Sequence, residues 1–208
     1  MKKTFLSIAI IGMSFAMTSC GGNAESLKEF QETLNELKEI EVEDIATVNM
    51  DLKEVNDQYA IRIPHDFSIT TSLNEDASLQ YNNLSSEKYF IVIDEDKQEF
   101  IDAMLESEIY NEDMSVADNF SDIQISGFGS GMTITSQSEV EKTTINGMDA
   151  RIFSFDAEVP GITIPISYFT AYVVGEDRIY TLMGWTLESA KDQYKIQVKE
   201  IIHSIKEL

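Results

Sequence analysis

The second half of the chain alternates between apolar and polar residues with the period of two that is typical of β-strands. From residue 132 onward this alternation predicts four strands, at about 132–144, 148–158, 162–174 and 178–186. The segments between them have turn-forming sequences: Asn146-Gly147, Pro160-Gly161 and Gly175-Glu176-Asp177. Asn-Gly is a strong hairpin signal, and Pro-Gly suits a type II turn. Connections this short predict an antiparallel meander.

The preceding region predicts shorter strands and two helices, and a third helix closes the chain. Apolar patterning indicates strands at about 59–63, 67–71, 78–82 and 88–93. Acidic Asp94, Glu95 and Asp96 suit the electropositive start of one helix, and a second is predicted from Ser115 to about Ile125. The closing helix, over about 187–206, carries one apolar stripe: Leu187, Ala190, Tyr194, Val198, Ile201, Ile202 and Ile205. One largely antiparallel sheet covered by helices would bury all these faces, which predicts an α+β fold.

Several stretches of the sequence resemble the PsbP/Mog-like domain family. These stretches are Tyr59-Ala-Ile-Arg-Ile-Pro64, Leu73-Asn74, Ala77-Ser-Leu-Gln-Tyr81, Tyr89-Phe-Ile-Val-Ile-Asp94 and Tyr180-Thr-Leu-Met-Gly-Trp-Thr186. The resemblance covers about residues 58–207 and implies an αβα sandwich with a binding or scaffolding role. Similar domains occur behind bacterial lipoprotein signals. Mog-like members bind a small GTPase and PsbP members sit on a photosystem, but no residue here carries either partner over.

The first twenty residues have the pattern of an export signal. Lys2 and Lys3 precede an uncharged, mostly apolar run over 5–17. As a helix this run would span about 20 Å, short of the roughly 30 Å hydrocarbon core of a bilayer. The run ends in Met17-Thr18-Ser19-Cys20, which resembles a bacterial lipobox, where small residues lead into an obligatory cysteine.

The lipobox resemblance implies that residues 1–19 are a lipoprotein signal peptide and that Cys20 becomes the first mature residue. The sulfur of Cys20 would carry a diacylglycerol and its amino group a further acyl chain, and two or more chains anchor a protein stably in a bilayer. The next residue is Gly21 and not the Asp that commonly retains lipoproteins in the inner membrane. This analogy predicts the outer membrane and leaves the membrane face open. The alternative is an ordinary secretory signal with an incidental cysteine.

Residues 20–58 are predicted to be a lipidated acidic linker in front of a domain over 59–208. Residues 21–58 contain eleven Asp or Glu and three Lys. A helix over about 24–40 is predicted from an apolar stripe at helical spacing: Leu27, Phe30, Leu34 and Leu37. This helix is either a stalk or self-association element, or it docks on its own domain. Four apolar residues form too short a heptad run to specify a coiled coil.

Composition narrows the possible functions. The 208-residue chain is 43% hydrophobic, as globular proteins are, and a single cysteine allows no internal disulfide framework. Its formal net charge of −22 argues against nucleic-acid binding, because phosphate recognition needs clustered Lys and Arg. The same charge argues against adhesion to an anionic lipid surface by charge alone.

The sequence contains no motif for a metal site, a cofactor or catalysis. Its two histidines, His65 and His203, are far apart in the sequence, whereas zinc sites cluster three or four ligands. The glycine-rich segment over 127–131 has Met132 where a dinucleotide-binding loop needs its third glycine. We therefore expect a non-enzymatic protein without a cofactor. The alternative is a small-molecule-binding protein or a hydrolytic enzyme with a pocket near residues 126–132.

An aromatic cluster is the remaining candidate for binding. Tyr168 and Tyr172 share one face of a predicted strand, and Trp185 lies on the next. Such clusters are typical of cross-strand core packing. If these side chains are exposed together, they form a surface for a sugar, a peptide or a protein. The sequence thus predicts a lipid-anchored envelope protein whose domain binds another macromolecule, a protein and not a nucleic acid.

Overall fold

Eleven β-strands and three α-helices make up residues 49–128 and 131–208, the part of the chain that the computed structural model describes. The strands are β1 (Met50–Val55), β2 (Tyr59–Pro64), β3 (Ser68–Ile69), β4 (Leu79–Asn83), β5 (Lys88–Asp96), β6 (Thr133–Gln137), β7 (Glu141–Ile145), β8 (Met148–Glu158), β9 (Ile166–Val174), β10 (Arg178–Leu187) and β11 (Lys206–Glu207). The helices are α1 (Lys97–Glu106), α2 (Val116–Gly127) and α3 (Lys191–His203), which a 3-10 turn, Glu188–Ala190, precedes. The predicted signal peptide, Cys20 and the predicted helix over 24–40 lie outside the described residues. Within these residues, no helix has the length and apolar content needed to span a bilayer.

Eight strands form one sheet in the order β3-β4-β5-β10-β9-β8-β6, and β7 pairs with the other half of β8. All of these pairings are antiparallel. The turn between β7 and β8 has φ of 49° at Asn146 and 87° at Gly147, because a two-residue type I′ hairpin needs positive φ at both positions. The antiparallel meander and the α+β class predicted from the sequence are confirmed.

Two details of the meander differ from the prediction. Its first strand is broken into β6 and β7, which pair with opposite halves of β8. Ser138 holds the break: its N–H donates to the Ser154 carbonyl, and its hydroxyl accepts from the Ser154 N–H, each at 2.9 Å. The connection from β8 to β9 is also longer than a Pro-Gly turn, since β9 begins only at Ile166.

A second sheet has three strands, in the order β1-β2-β11, and it changes the predicted start of the domain and the predicted end of the last helix. Because β1 pairs with β2 from Met50 to Val55, the domain starts before residue 59 and includes part of the predicted linker. At the other end α3 stops at His203, and the last residues pair with β2 as β11 instead of continuing the helix.

The helix α3 covers one face of the eight-stranded sheet. Its buried side chains belong to the predicted apolar stripe: Tyr194, Val198, Ile201 and Ile202. The helix approaches the sheet closely at Gly184 of β10, where a Cβ atom would lie 2.5 Å from Val198 Cγ2. The Phe169 ring of β9 packs edge-on against Tyr194 at a centroid distance of 5.9 Å.

The helices α1 and α2 cover the opposite face. Phe120 of α2 is fully buried, between Phe100 of α1 and Tyr172 of β9, with ring centroids 5.0 and 5.3 Å away. The side chains of Asp96 and Ser115 cap these helices by accepting hydrogen bonds from backbone N–H groups in the first turn. Tyr172 and Phe169 point to opposite faces because they are three residues apart on one strand. The sheet therefore lies between two helical layers, an αβα sandwich.

A buried ion pair ties α2 to β8. Arg151 is 4% exposed, and its Nε donates to Asp118 Oδ1 at 2.7 Å. The other guanidinium nitrogens donate to Ser115 Oγ at 3.0 Å and to Asp149 Oδ1 at 2.6 Å. This arrangement holds the pKa of the Asp118 carboxyl well below its usual range. The buried cation is thus fully paired, as a charge in a protein interior must be.

Candidate binding surface

Four aromatic rings form a row across the four central strands of the eight-stranded sheet. One comes from each of β5, β10, β9 and β8: Tyr89, Trp185, Tyr168 and Phe155. Each is the register partner of the next, so all four point to the face that carries α1 and α2. The ring centroids are 5.4, 6.4 and 4.8 Å apart in that order. We call these four residues the aromatic ladder.

The aromatic ladder runs from the core to the surface. Phe155 is 2% exposed and packs at 4.9 Å on Phe128, which follows α2. Tyr89, Tyr168 and Trp185 are only half-buried. Burial raises the pKa of the Tyr168 phenol. The pKa of Tyr89 is raised by burial and by Glu87, whose carboxylate accepts its hydroxyl hydrogen bond at 2.8 Å.

The structure brings together Tyr168 and Trp185 of the predicted surface but removes Tyr172 from it. Tyr172 does share a face with Tyr168, yet it is 1% exposed, beneath Phe120 of α2. Its hydroxyl has no hydrogen-bond partner among the described residues. The reason is that α2 covers one half of this face, which includes Tyr172, and leaves the other half partly open.

Sequence reasoning missed Tyr89 as a member of this surface. Residues 89–93 form a continuous apolar run, which predicts burial on both faces and hides the alternation. The signal that could have found Tyr89 was the length of β5 and β10. If two strands of this length pair antiparallel from end to end, Tyr89 lies opposite Trp185. That register depends on a pairing between strands more than eighty residues apart, which periodicity does not encode.

An apolar loop lies at the same end of the sheet. Residues 159–165 connect β8 to β9, and Ile162 and Ile164 are 51% and 49% exposed. A concavity of about 450 Å³ separates this loop from Thr133 at the start of β6. Tyr168 lies two residues after the first residue of β9, so the loop adds apolar area close to the aromatic ladder.

On the other face of these strands, a polar cluster fixes the start of α3. Asp156 is 8% exposed and accepts hydrogen bonds from Ser167 Oγ at 2.5 Å and Lys191 Nζ at 2.8 Å. Burial alone would raise the pKa of Asp156, but these two donors keep it below its usual value. Ser167 is buried as well, and the cluster links β8 and β9 to the first residue of α3.

The region considered for a small-molecule pocket is partly exposed and partly packed against the core. Phe128 and Met132 pack against the cluster around Phe153, and residues 129–130 lie outside the described part of the chain. The concavities described here are not lined by Ser126, Phe128 or Met132. The largest of them, about 550 Å³, lies between α3 and the ends of β2 and β5.

The two histidines lie on the surface and apart from each other. His65 Nε2 lies 2.9 Å from Asp51 Oδ1 in the exposed end of the small sheet. His203 is exposed at the end of α3, where partial burial and the nearby Lys199 lower its pKa. Among residues 49–128 and 131–208, no three His, Asp or Glu side chains are grouped so that they could hold a metal ion.

Solved structures with this fold were found by comparison. LpqN of Mycobacterium tuberculosis, described as involved in cell envelope biogenesis, matches with a TM-score of 0.50 at 10% identity, over 72% of this chain and 82% of that chain. Cyanobacterial PsbP (CyanoP) from Synechocystis sp. PCC 6803 matches with a TM-score of 0.48 at 10% identity, over 77% of this chain and 93% of that chain. No family model and no curated protein sequence matches the chain.

These likenesses concern the fold. The αβα fold predicted from the sequence is confirmed by the arrangement of the strands and helices, and LpqN has a similar fold. At 10% identity the comparison transfers neither partners nor residue roles. The function therefore has to be argued from the residues of this chain.

Proposed function

We propose that this chain is a non-enzymatic lipoprotein of the bacterial outer membrane whose domain binds a protein partner through the aromatic ladder. One observation carries the proposal: Tyr89, Tyr168 and Trp185 are only half-buried, and their rings lie side by side in one row on the sheet. The acyl chains on Cys20 determine the location. The acidic linker keeps the domain away from the anionic membrane surface.

The anchor is supported by the sequence of the first twenty residues. A basic start, a short apolar run and the only cysteine of the chain follow one another in the order that lipoprotein processing requires. LpqN, whose fold is similar, is described as involved in cell envelope biogenesis, and an envelope location for this chain agrees with that description.

The docking role is supported by the residue types and their setting. Tyr and Trp are enriched at protein interfaces because they provide large apolar area together with one polar group. Ile162 and Ile164 extend the apolar area beside the aromatic ladder. The sheet beneath is held in place by register pairs across four strands, so the surface is preorganised and little ordering is needed on binding.

Crosslinking and affinity capture from native envelopes test the docking surface. Trp185→Ala removes the central half-buried ring, and we expect it to reduce capture of the partner at least about tenfold, because Trp anchors that become buried in an interface commonly dominate its energy. The control is Tyr110→Ala, which removes a half-buried aromatic side chain from the segment between α1 and α2. Equal capture by Trp185→Ala and wild type, both folded, would contradict the proposal.

Mass spectrometry of the exported protein tests the anchor. We expect an N-terminal peptide that begins at an acylated Cys20, and we expect Cys20→Ser to leave the membrane fraction. Wild-type protein with an unmodified thiol in the same fraction would rule out the lipid anchor.

A further inference from the structure

The rings of the aromatic ladder stack on one another, which determines which parts of them a partner can touch. The interplanar angles are 11° for Tyr89 with Trp185, 29° for Trp185 with Tyr168 and 11° for Tyr168 with Phe155. In such a row each of the two inner rings, Trp185 and Tyr168, has a neighbouring ring on either side. What remains for solvent is therefore mainly the ring edges, which carry the positive part of the aromatic quadrupole.

Two hydrogen-bond donors lie on these edges without a partner. The Tyr168 hydroxyl and the Trp185 indole N–H bond to no residue in the described part of the chain, and neither atom is sealed in the interior. The indole N–H can only donate, and the phenol donates readily. The ladder therefore offers donors and electropositive edges to a partner that brings acceptors, as the backbone carbonyls of a polypeptide do.

The charge beside the ladder is negative. Glu87 is exposed and holds the Tyr89 hydroxyl, while the adjacent cation, Lys88, donates to Gln197 of α3 on the opposite face. The whole chain has a formal net charge of −22. Electrostatic steering toward this surface thus favours a positively charged partner.

From these three observations we infer that the partner docks a positively charged polypeptide segment on the ladder, with carbonyl groups on the Trp185 and Tyr168 donors and a Lys or Arg beside Glu87. A glycan is disfavoured, because sugar rings pack their C–H groups on open aromatic faces. In the aromatic ladder, neighbouring rings cover the faces of Trp185 and Tyr168. The inference rests on the proposed binding function and names the partner's chemistry.

Trp185 is the only tryptophan of the chain, so its fluorescence reports on this surface directly. The experiment uses the full chain with Cys20→Ser and three probes: an alternating Ala-Arg octapeptide, an alternating Ala-Glu octapeptide, and a hexamer of N-acetylglucosamine. We expect saturable changes in Trp185 emission, and protection from acrylamide quenching, with the Ala-Arg peptide alone. We also expect the affinity to fall as salt is raised.

Single substitutions assign the contacts. Glu87→Gln should weaken the Ala-Arg peptide about two- to fivefold, the range for one exposed ion pair. Its control, Glu54→Gln, changes an exposed acid on β1 and should have no effect. Tyr168→Phe keeps the ring and removes the hydroxyl, so it should weaken binding without changing the unfolding transition.

The outcomes separate this inference from the proposed function. Binding of the glucosamine hexamer, or equal binding of both peptides, would overturn the partner chemistry while leaving the ladder as the docking surface. No response to any probe at millimolar concentration would also overturn it. Loss of envelope capture in Trp185→Ala would still support the proposed function in that case.

Discussion

At the scale of the residue, Arg151 is a buried charged side chain whose removal should destabilise the fold. It is the buried partner of Asp118, whose carboxylate is itself only 16% exposed. We expect Arg151→Ala to lower the free energy of unfolding by about 3 kcal/mol, because a mostly buried carboxylate loses its charge partner. Urea unfolding at pH 7 measures this loss.

The matched control is Lys142, which contacts the same carboxylate. Lys142 Nζ lies 2.8 Å from Asp118 Oδ1, but its side chain is 65% exposed. Lys142→Ala should therefore lower the free energy of unfolding by less than about 1 kcal/mol. Similar losses in both variants would mean that the burial of Arg151 is not what makes its ion pair matter.

The lowered pKa of the Asp118 carboxyl should make the stability of the fold depend on pH. The hydrogen bonds from Arg151 lower the pKa of Asp118 in the folded state below the usual value of 3.8. Asp118 then contributes stability above its unfolded-state pKa and loses it as pH falls through that value toward the folded-state pKa. We expect Asp118→Asn to be less stable than wild type at pH 7 and to show a smaller loss below pH 4. Parallel pH profiles of the two proteins would contradict this.

Removing the hydroxyl from two buried tyrosines should change the free energy of unfolding differently. The Tyr172 hydroxyl is buried and has no hydrogen-bond partner among residues 49–128 and 131–208, whereas the Tyr194 hydroxyl donates to the Tyr89 carbonyl at 2.7 Å. We expect Tyr172→Phe to be neutral or to stabilise slightly, and Tyr194→Phe to cost about 1 kcal/mol in the free energy of unfolding. Denaturant midpoints compare the two directly, and an equal loss in both would refute the assignment.

At the scale of the element, the packing of α3 on β10 depends on a missing side chain. A Cβ on Gly184 would lie 2.8 Å from the Tyr194 hydroxyl as well as 2.5 Å from Val198 Cγ2. We expect Gly184→Ala to cost about 1–3 kcal/mol, because α3 has to shift off the sheet. Thermal and urea unfolding, with near-UV circular dichroism for Tyr packing, measure the effect.

Gly127, in the last turn of α2, provides the control. A Cβ there would meet nothing within 4 Å in the described part of the chain, and the residue is helical. Gly127→Ala should be neutral or slightly stabilising, since Ala favours the helix by up to about 1 kcal/mol. Destabilisation by Gly127→Ala as large as that by Gly184→Ala would argue against close packing as the cause.

The elements themselves were largely predictable from patterning. Strands β2, β4, β8 and β10 and the helix α2 lie where periodicity predicts them, whereas β5 extends to Asp96, through the acids predicted to start α1, and α3 begins only at Lys191. The break between β6 and β7 was not predictable, because residues 138–140 continue a β-like pattern. At the break the Ser138 side chain, in place of a backbone carbonyl, accepts the hydrogen bond from the Ser154 N–H. The end of α3 was missed for a similar reason. Ile205 continues the apolar stripe, but the backbone beyond it pairs with β2.

At the scale of the whole molecule, the excess of acidic residues should make stability sensitive to salt. With a net charge of −22, compaction brings like charges together, and salt screens them. The Debye length falls from about 30 Å at 0.01 M to about 10 Å at 0.1 M salt. We expect the melting temperature at pH 7 to rise over that interval by about 2–4 °C for each kcal/mol of relieved repulsion. An unchanged or lower melting temperature would mean that screening of favourable pairs outweighs this repulsion.

The strand and helix periods and the α+β class could be read from local spacing, because each depends on residues close together in the chain. The pattern of an export signal that ends at Cys20 is also local, and the signal stays a prediction. Alternation also placed Tyr168 and Tyr172 on one face. It could not say that α2 lies over Tyr172 and leaves Tyr168 partly open, or that Tyr89 stacks on Trp185. Those facts depend on register between distant strands and on which helix covers which half of the sheet. Both follow from packing of the folded chain, where burial is shared among many side chains and is encoded in no single segment.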